Sequence, residues 1–208
     1  MCTAEELRDI LAGEDPVRVA RQLIGMRLST GFGDELTTGI ITETEAYWAP
    51  DDRASHAYGM RRTARTEPFY AGPGTSYVYL CYGIHELFNV ISGPVDVPHA
   101  VLIRAVEPLE GVANMLARRH MESLKPQLSS GPGVVSQALG ISREHNNLDL
   151  LKPASYVRLS AGEEAVPEAE IAATPRIGIS GAGPEWAAKP WRFYRRGSRF
   201  VSKPNAFS

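Results

Sequence analysis

The stretch from Ile40 to His56, IITETEAYWAPDDRASH, limits what this chain can fold into more than any other stretch does. Its first half alternates like a β-strand of period two, which assigns four side chains to one face: Ile41, Glu43, Glu45 and Tyr47. The Ala-Pro-Asp-Asp turn that follows lets the chain reverse and bring His56 toward Glu45 and Tyr47. The stretch therefore predicts a site with a carboxylate, an aromatic ring and a histidine. An amphipathic strand with solvated glutamates explains the same pattern equally well.

Length and cysteine content place the chain in a broad class. Its 208 residues suffice to bury a core without disulfides or metal, so we expect one domain over residues 1–208. The only cysteines are Cys2 and Cys81, which gives no disulfide framework and suits a reducing compartment. No secretion signal or long apolar segment is visible in the sequence. We expect a cytoplasmic, monomeric protein with no membrane association.

The order of predicted elements favours an α+β fold. Capping signals predict helices over Ala4–Leu11 and after Pro16, and a glycine-rich turn before it with Gly140 as its stop predicts another from about Val134 to Leu139. Predicted strands outnumber helices and do not alternate with them, and the last part of the chain includes a predicted strand at Arg176–Ile179. We expect a curved, mostly antiparallel sheet flanked by helices and irregular loops, with a β-hairpin that protrudes around Tyr82.

The charge distribution is uneven although the net charge is only −2. Basic residues cluster in Arg61–Arg65, at Arg118 and Arg119, and in the tail from Lys189 to Lys203. A cationic face of this kind suits a phosphate backbone. Solvated charges spread over several faces give the same counts.

Several kinds of chemistry lack their motifs in this sequence. The five histidines show no zinc spacing, and there is no dinucleotide-binding glycine motif, no phosphate-binding P-loop and no serine nucleophile elbow. We therefore expect neither a metal nor a cofactor. The remaining chemistry is acid–base catalysis by a carboxylate, with aromatic rings and arginines to hold a planar, anionic polymer.

Six blocks in a fixed order carry a resemblance to a known family. They are TETEAY at 42–47, PGTSYVYLCYGIHELFNV at 73–90, VLIRAVEPLEG at 101–111, SGPG with QALGI at 130–141, PRIGI at 175–179 and EWAAKPWRFYRRGS at 185–198. Through these blocks and His56, the chain resembles the alkyladenine (3-methyladenine) DNA glycosylases of mammals and many bacteria. The resemblance implies a monofunctional enzyme of base excision repair that acts on double-stranded DNA containing alkylated or deaminated purines.

The resemblance also assigns catalytic roles by position. Glu45 would be the general base that deprotonates the attacking water. Arg104 and the backbone carbonyl of Ile177 would help to hold that water. No lysine nucleophile stands in the matching motifs, so no Schiff base and no strand cleavage are expected.

Five further positions would bind the substrate. Tyr47, His56 and Tyr79 would line a pocket around the base after it leaves the helix, since an enzyme that acts on a base must remove it from the stack. Asn89 would form the floor and crowd the 2-amino group of guanine. Tyr82 would fill the gap in the duplex from the minor groove.

The chain departs from the family pattern at a few positions. Val134 stands where the family usually has a lysine, which removes one phosphate contact. Phe69 stands near a common methionine, and Ala64 replaces a common proline before Arg65. These changes concern DNA affinity and substrate range more than the chemistry.

Two alternatives belong to other functional classes. Glu43 and Glu45 could be the carboxylate pair of a glycoside hydrolase, although the basic tail is then unexplained. Alternatively, Glu45 pairs with Arg104 as a structural ion pair, and the chain is a nucleic-acid-binding module without catalysis. Release of free base from alkylated DNA separates both alternatives from the glycosylase.

Overall fold

The computed structural model describes residues 3–203, and Cys2 lies outside this range. Eight strands form one curved, antiparallel sheet, in which six follow the order β3-β4-β5-β2-β1-β6 while β8 joins β2 to β7. The strands are β1 Arg27–Phe32, β2 Glu35–Trp48, β3 Ser76–Cys81, β4 His85–Ser92, β5 His99–Glu110, β6 Val157–Ser160, β7 Ile171–Thr174 and β8 Arg192–Arg195. The helices are α1 Ala4–Leu11, α2 Pro16–Gln22, α3 Val112–Arg118, α4 Pro132–Leu139 and α5 Pro184–Ala188. The predicted α+β class is confirmed.

Local signals place the helices where the sequence predicts them. Thr3 and Glu6 form the capping box of α1, and the Asp15 carboxylate caps α2 just before Pro16. Helix α4 ends at Gly140, whose φ of 70° is the left-handed conformation that glycine adopts without strain. These helices bury their apolar faces against the sheet and form the main core.

Strand β2 is the centre of the sheet because it pairs with β1, β5 and β8. Its pairing with β5 shifts around Glu43, so that Thr42 and Arg104 have no partner in the register. Irregularities of this kind re-aim side chains and are frequent beside active sites. Ile41 accordingly packs in the main core together with Ala46, which has the opposite parity. The prediction that Ile41 shares the face of Glu45 is therefore wrong.

The hairpin of β3 and β4 protrudes as expected, with Tyr82 and Gly83 at its tip. The predicted strand at Arg176–Ile179 is wrong, because these residues form an irregular segment with Gly178 at a φ of 77°. The Ile177 N–H donates to the Glu45 carboxylate instead of to a neighbouring strand. This segment therefore contributes to the site rather than to the sheet.

The basic tail is only partly a surface feature. Arg192 is buried and pairs with Glu43, and Arg195 pairs with Glu170 across β7 and β8. Two further arginines of the predicted cationic face, Arg62 and Arg118, also have carboxylate partners. The expectation of one continuous cationic face is therefore wrong for these positions. No helix within residues 3–203 is long and apolar enough to cross a bilayer.

Candidate active site

A cavity of about 480 Å³ opens between the sheet and the loops that precede β3 and α4. This volume lies in the range of small-ligand pockets. Every residue that the resemblance assigns to the site, except Glu45, lines it: Tyr47, His56, Tyr79, Tyr82, Asn89, Arg104 and Ile177. These side chains come from β2, the loop after β2, the β3–β4 hairpin, β5 and the segment after β7, so the tertiary fold brings them together.

Glu45 lies directly behind the cavity wall and has no exposed surface. Its Oε2 accepts the Tyr47 hydroxyl at 2.9 Å, and its Oε1 accepts the Ile177 N–H at 2.8 Å. The Nη1 of Arg104 lies 3.3 Å from the same Oε1. Burial and the nearby Glu45 raise the pKa of Tyr47 well above its ordinary value, so its phenol remains a donor. Three cavity-lining residues thus fix the orientation of one carboxylate.

Glu43 shares the burial of Glu45 but has different partners. Its carboxylate is fully buried and accepts from two arginines, Arg104 on β5 and Arg192 on β8, at 2.9 and 2.6 Å. The backbone N–H and the hydroxyl of Ser202 also donate to it, each at 2.6 Å. These donors occupy both oxygens, so Glu43 is not placed for the carboxylate-pair chemistry of a glycoside hydrolase.

The aromatic wall is connected by hydrogen bonds. The Tyr77 hydroxyl accepts the Arg65 Nε–H at 3.3 Å and lies 2.9 Å from His56 Nδ1. Burial, and secondarily the Arg65 charge, lower the pKa of His56 to about 4. His56 is therefore neutral at pH 7, and the Tyr77 hydroxyl is free to donate to its Nδ1. The His56 ring also meets the Tyr79 ring edge-on, with the centroids 4.6 Å apart.

Asn89 and two of the departures from the family pattern also line the cavity. Asn89 is buried, and its side-chain amide donates to the Tyr77 carbonyl at 3.1 Å. Phe69, one of the departures from the family pattern, is buried against the Tyr77 ring with the centroids 4.6 Å apart. Val134, another departure, lines the cavity at the first turn of α4. Both departures therefore lie at the pocket.

Tyr82, unlike the buried Asn89 and Phe69, is exposed to solvent. Its side chain is 88% exposed at the hairpin tip, and the neighbouring Ile84 is 73% exposed. Exposed apolar side chains in a group are unusual on a soluble protein and mark a surface that meets a partner. The tip of the hairpin stands at the rim of the cavity, because Tyr82 also lines it.

Comparison with known proteins identifies the family. The sequence model of the methylpurine-DNA glycosylase (MPG) family matches residues 10–199. The chain belongs to this glycosylase family. A Chlamydia pneumoniae protein provisionally named 3-methyladenine DNA glycosylase is 46% identical over 181 residues, which are 86% of this chain and 89% of that protein. A Bacillus cereus (strain G9842) protein of the same provisional name is 43% identical over 195 residues, which are 91% of this chain and 95% of the relative.

Family membership decides among the classes that the sequence left open. This glycosylase is an enzyme that hydrolyses N-glycosylic bonds, and its substrate is DNA. The alternatives of a glycoside hydrolase and of a binding module without catalysis are therefore wrong. The resemblance seen in the sequence is confirmed.

The glycosylase site includes residues that the sequence did not single out. Arg176 lies behind the Tyr47 ring, 4.7 Å from its centroid, and forms a fully buried ion pair with Asp52. Ser202 and Arg192 reach Glu43 from the C-terminal part of the chain. Arg176 precedes Ile177 within the PRIGI block, which is a signal that could have suggested its role.

Proposed function

We propose that this glycosylase accepts alkylated or deaminated purines that have left the DNA helix and hydrolyses their N-glycosylic bond with a water activated by Glu45. The observation that carries the proposal is the Glu45 carboxylate, which three cavity-lining residues hold directly behind an aromatic pocket. Removing a base from the stack costs a few kcal/mol, and the cost is smallest for damaged or badly paired bases. Such lesions are therefore the favoured substrates.

For an alkylpurine with a positive charge, the reaction follows from the charges of the groups. An alkylpurine that carries a positive charge is a good leaving group, because it takes the electron pair of the C1′–N bond and becomes neutral. Water forms the new bond to C1′ and passes its proton to Glu45, whose negative charge also stabilises the oxocarbenium-like sugar. Arg104 and the carbonyl of Ile177 hold the water. The products are a free base and an abasic site.

None of the described residues that line the cavity is a lysine. The nucleophile of a Schiff-base mechanism is therefore missing from this wall, which supports hydrolysis without strand cleavage. Asn89 is held rigidly on the floor, where it would crowd the 2-amino group of guanine. Tyr47, His56 and Tyr79 supply the aromatic surfaces between which a purine would stack.

The direct test is incubation of the purified protein with methylated duplex DNA, followed by chromatography of the released bases. We expect free alkylpurines and an equal number of abasic sites, with no strand breaks until alkali is added. Strand breaks formed by the enzyme itself would contradict the monofunctional mechanism. A lack of released base would contradict the proposal.

Tyr47 contributes both an aromatic ring to the cavity and a hydrogen bond to the proposed base. Its hydroxyl donates to Oε2 of Glu45 at 2.9 Å, and its ring lines the cavity. We expect Tyr47→Phe to release base at a rate within about threefold of the wild type, because the ring still stacks. Tyr47→Ala should lose roughly tenfold or more, since stacking contributes about 1 to 3 kcal/mol per base. If Tyr47→Phe and Tyr47→Ala slowed base release equally in single-turnover assays, the Tyr47 hydroxyl, not its ring, would be the group that the reaction needs.

Tyr82 is proposed to fill the gap that the displaced nucleotide leaves. We expect Tyr82→Ser to weaken binding to duplex DNA with an abasic-site analogue by about 1 to 3 kcal/mol, as loss of aromatic stacking does. Its exposure predicts an unchanged melting temperature. Tyr156→Ser is the matched control, because Tyr156 is also exposed but does not line the cavity. A large loss of stability with unchanged binding would argue against this role.

Binding to undamaged duplex is expected to depend only modestly on salt. Several arginines outside the pocket are already paired with carboxylates of the protein, among them Arg62, Arg118 and Arg195. With about three to five phosphates neutralised, the slope of log K against log salt should be about −3 to −5. Fluorescence anisotropy at several salt concentrations measures it. A slope steeper than roughly −8 would indicate an extensive basic footprint.

A further inference from the structure

The proposed reaction does not use Glu43, yet this carboxylate accepts four hydrogen bonds close to the site. It has no exposed surface and does not line the cavity. Burying a charge is costly unless the charge is paired and hydrogen-bonded. Here the cost is offset by Arg104, by Arg192 and by both donors of Ser202. Because burying the Glu43 charge is costly and Glu43 lies two residues before Glu45, we expect Glu43 to have a function at the site.

Arg104 connects the two glutamates. Its Nε donates to Glu43 at 2.9 Å, and its Nη2 donates to the Ser202 hydroxyl at 3.2 Å. The remaining nitrogen, Nη1, lies 3.3 Å from Oε1 of Glu45. Two of the three nitrogens of the guanidinium are thus held on the side away from Glu45.

The way in which the Arg104 nitrogens are shared between Glu43 and Glu45 affects Glu45, because an arginine and a carboxylate form their strongest pair with two parallel hydrogen bonds. If Arg104 closed onto Glu45 in that way, its charge would favour the ionised carboxylate and its bonds would take up the carboxylate lone pairs. Glu45 would then be a poorer proton acceptor. Glu43 and Ser202 compete for the same guanidinium.

We propose that Glu43, together with Ser202, is a positioning residue that holds Arg104 back from Glu45 and so keeps Glu45 able to accept the proton of the attacking water. The inference rests on the proposed role of Glu45. In this proposal Glu43 and Ser202, which do not line the cavity, both act through Arg104.

Among residues 3–203, few charged or titratable groups other than Glu43 face Glu45. Tyr47 faces it from β2, Tyr79 from β3 and Arg104 from β5, and the irregular segment after β7 contributes the Ile177 N–H. Arg192 pairs with Glu45 in the strand register, but its Nε is bonded to Glu43. When Glu43 loses its charge, Arg192 is still held by Thr174 and by the Ser202 carbonyl. Arg104 then keeps only its bond to the Ser202 hydroxyl, so it is held less firmly than Arg192.

Two variants test the proposal. In Glu43→Gln the new amide group meets the Ser202 N–H, so a donor faces a donor, and the charge that holds Arg104 is gone. Ser202→Ala is milder, because it removes only the hydroxyl that bridges Glu43 and Arg104. We expect single-turnover base release to fall roughly 10- to 100-fold in Glu43→Gln and less in Ser202→Ala. The acid limb of the pH–rate profile should move to lower pH in Glu43→Gln, because a closer Arg104 charge favours the ionised carboxylate.

Thr42→Val is the matched control. The Thr42 hydroxyl donates to the Phe200 carbonyl at 2.6 Å, so this variant also loosens the C-terminal segment from β2 but has no bond to Arg104. All three variants are expected to melt at lower temperature. Only Glu43→Gln and Ser202→Ala should change the pH–rate profile, and affinity for abasic-site DNA should change less than about threefold.

Crystal structures of Glu43→Gln and Ser202→Ala give a test that does not depend on activity. We expect Arg104 to lie closer to Glu45, with two of its nitrogens bonded to that carboxylate. An unmoved Arg104, or an active variant with an unchanged acid limb, would overturn the proposal while leaving the proposed function intact. If the wild type released no base, the proposed function would fail, and the position of Arg104 would still decide the role of Glu43. If Glu43→Gln did not fold, Ser202→Ala and Thr42→Val alone would decide it.

Discussion

Replacing Glu45 by glutamine is expected to slow the release of alkylated bases by roughly 10² to 10⁴-fold, which is the usual contribution of a general base. Glutamine keeps the shape of the side chain, and its carbonyl oxygen still accepts the Ile177 N–H. The amide group can donate to the Tyr47 hydroxyl, so the local hydrogen bonds persist. The variant cannot accept a proton. Single-turnover release of free base from methylated duplex measures the effect on the chemical step.

The matched control is Glu110→Gln, which makes the same chemical change at an exposed position of β5, opposite Thr38 of β2. Its rate should equal that of the wild type. Affinity of Glu45→Gln for abasic-site DNA should change little, because Tyr47, His56 and Tyr79 still form the pocket. A Glu45→Gln rate within a few-fold of the wild type would mean that another group activates the water, and the chemistry would have to be assigned again.

The sequence predicts the location of the site because its central motif is contiguous. Alternation along β2 places Glu45 and Tyr47 on one face, and the structure joins them by a hydrogen bond. The burial of Glu45 could not be predicted in this way, since periodicity gives the direction of a side chain but not what covers it. Ile177, whose N–H donates to the buried Glu45 carboxylate, lies 132 residues further along the chain.

The errors in the predicted fold also have physical causes. The register shift around Glu43 has no glycine or proline at Thr42 to signal it, so Ile41 is assigned to the wrong face. At Ile177, apolar side chains suggest a strand, but Gly178 turns the backbone and the N–H bonds to a side chain. In both cases tertiary contacts override a local pattern.

The prediction from charge is wrong where the partner of a basic residue is distant in sequence. Arg192 belongs to a basic tail by composition, yet it is buried against Glu43, 149 positions away. Counting charges along a chain cannot distinguish an arginine that meets solvent from one that meets a buried carboxylate. Only the pairing of β8 with β2 makes the distinction.

Replacing Arg176 by methionine is expected to cost about 3 to 5 kcal/mol of unfolding free energy, because it leaves a buried charge without its partner. The Arg176 and Asp52 side chains are both 0% exposed and are joined by two hydrogen bonds of 2.6 and 2.9 Å. Asp52 would keep only the N–H groups of Trp48 and Ala54. For a chain of this size the melting temperature should fall by roughly 6 to 20 °C.

Asp52→Asn should also be strongly destabilising, since it leaves the guanidinium buried between the rings of Tyr47 and Trp191. The double variant should cost less than the sum of the two single changes, because it leaves neither charge unpaired. Arg195→Met is the control: its pair with Glu170 is partly exposed and should contribute no more than about 1 kcal/mol. Urea unfolding of the four variants gives the coupling energy. Additive costs would show that Arg176 and Asp52 stabilise the fold separately, and the segment before Ile177 would then have to be held near Glu45 by other contacts.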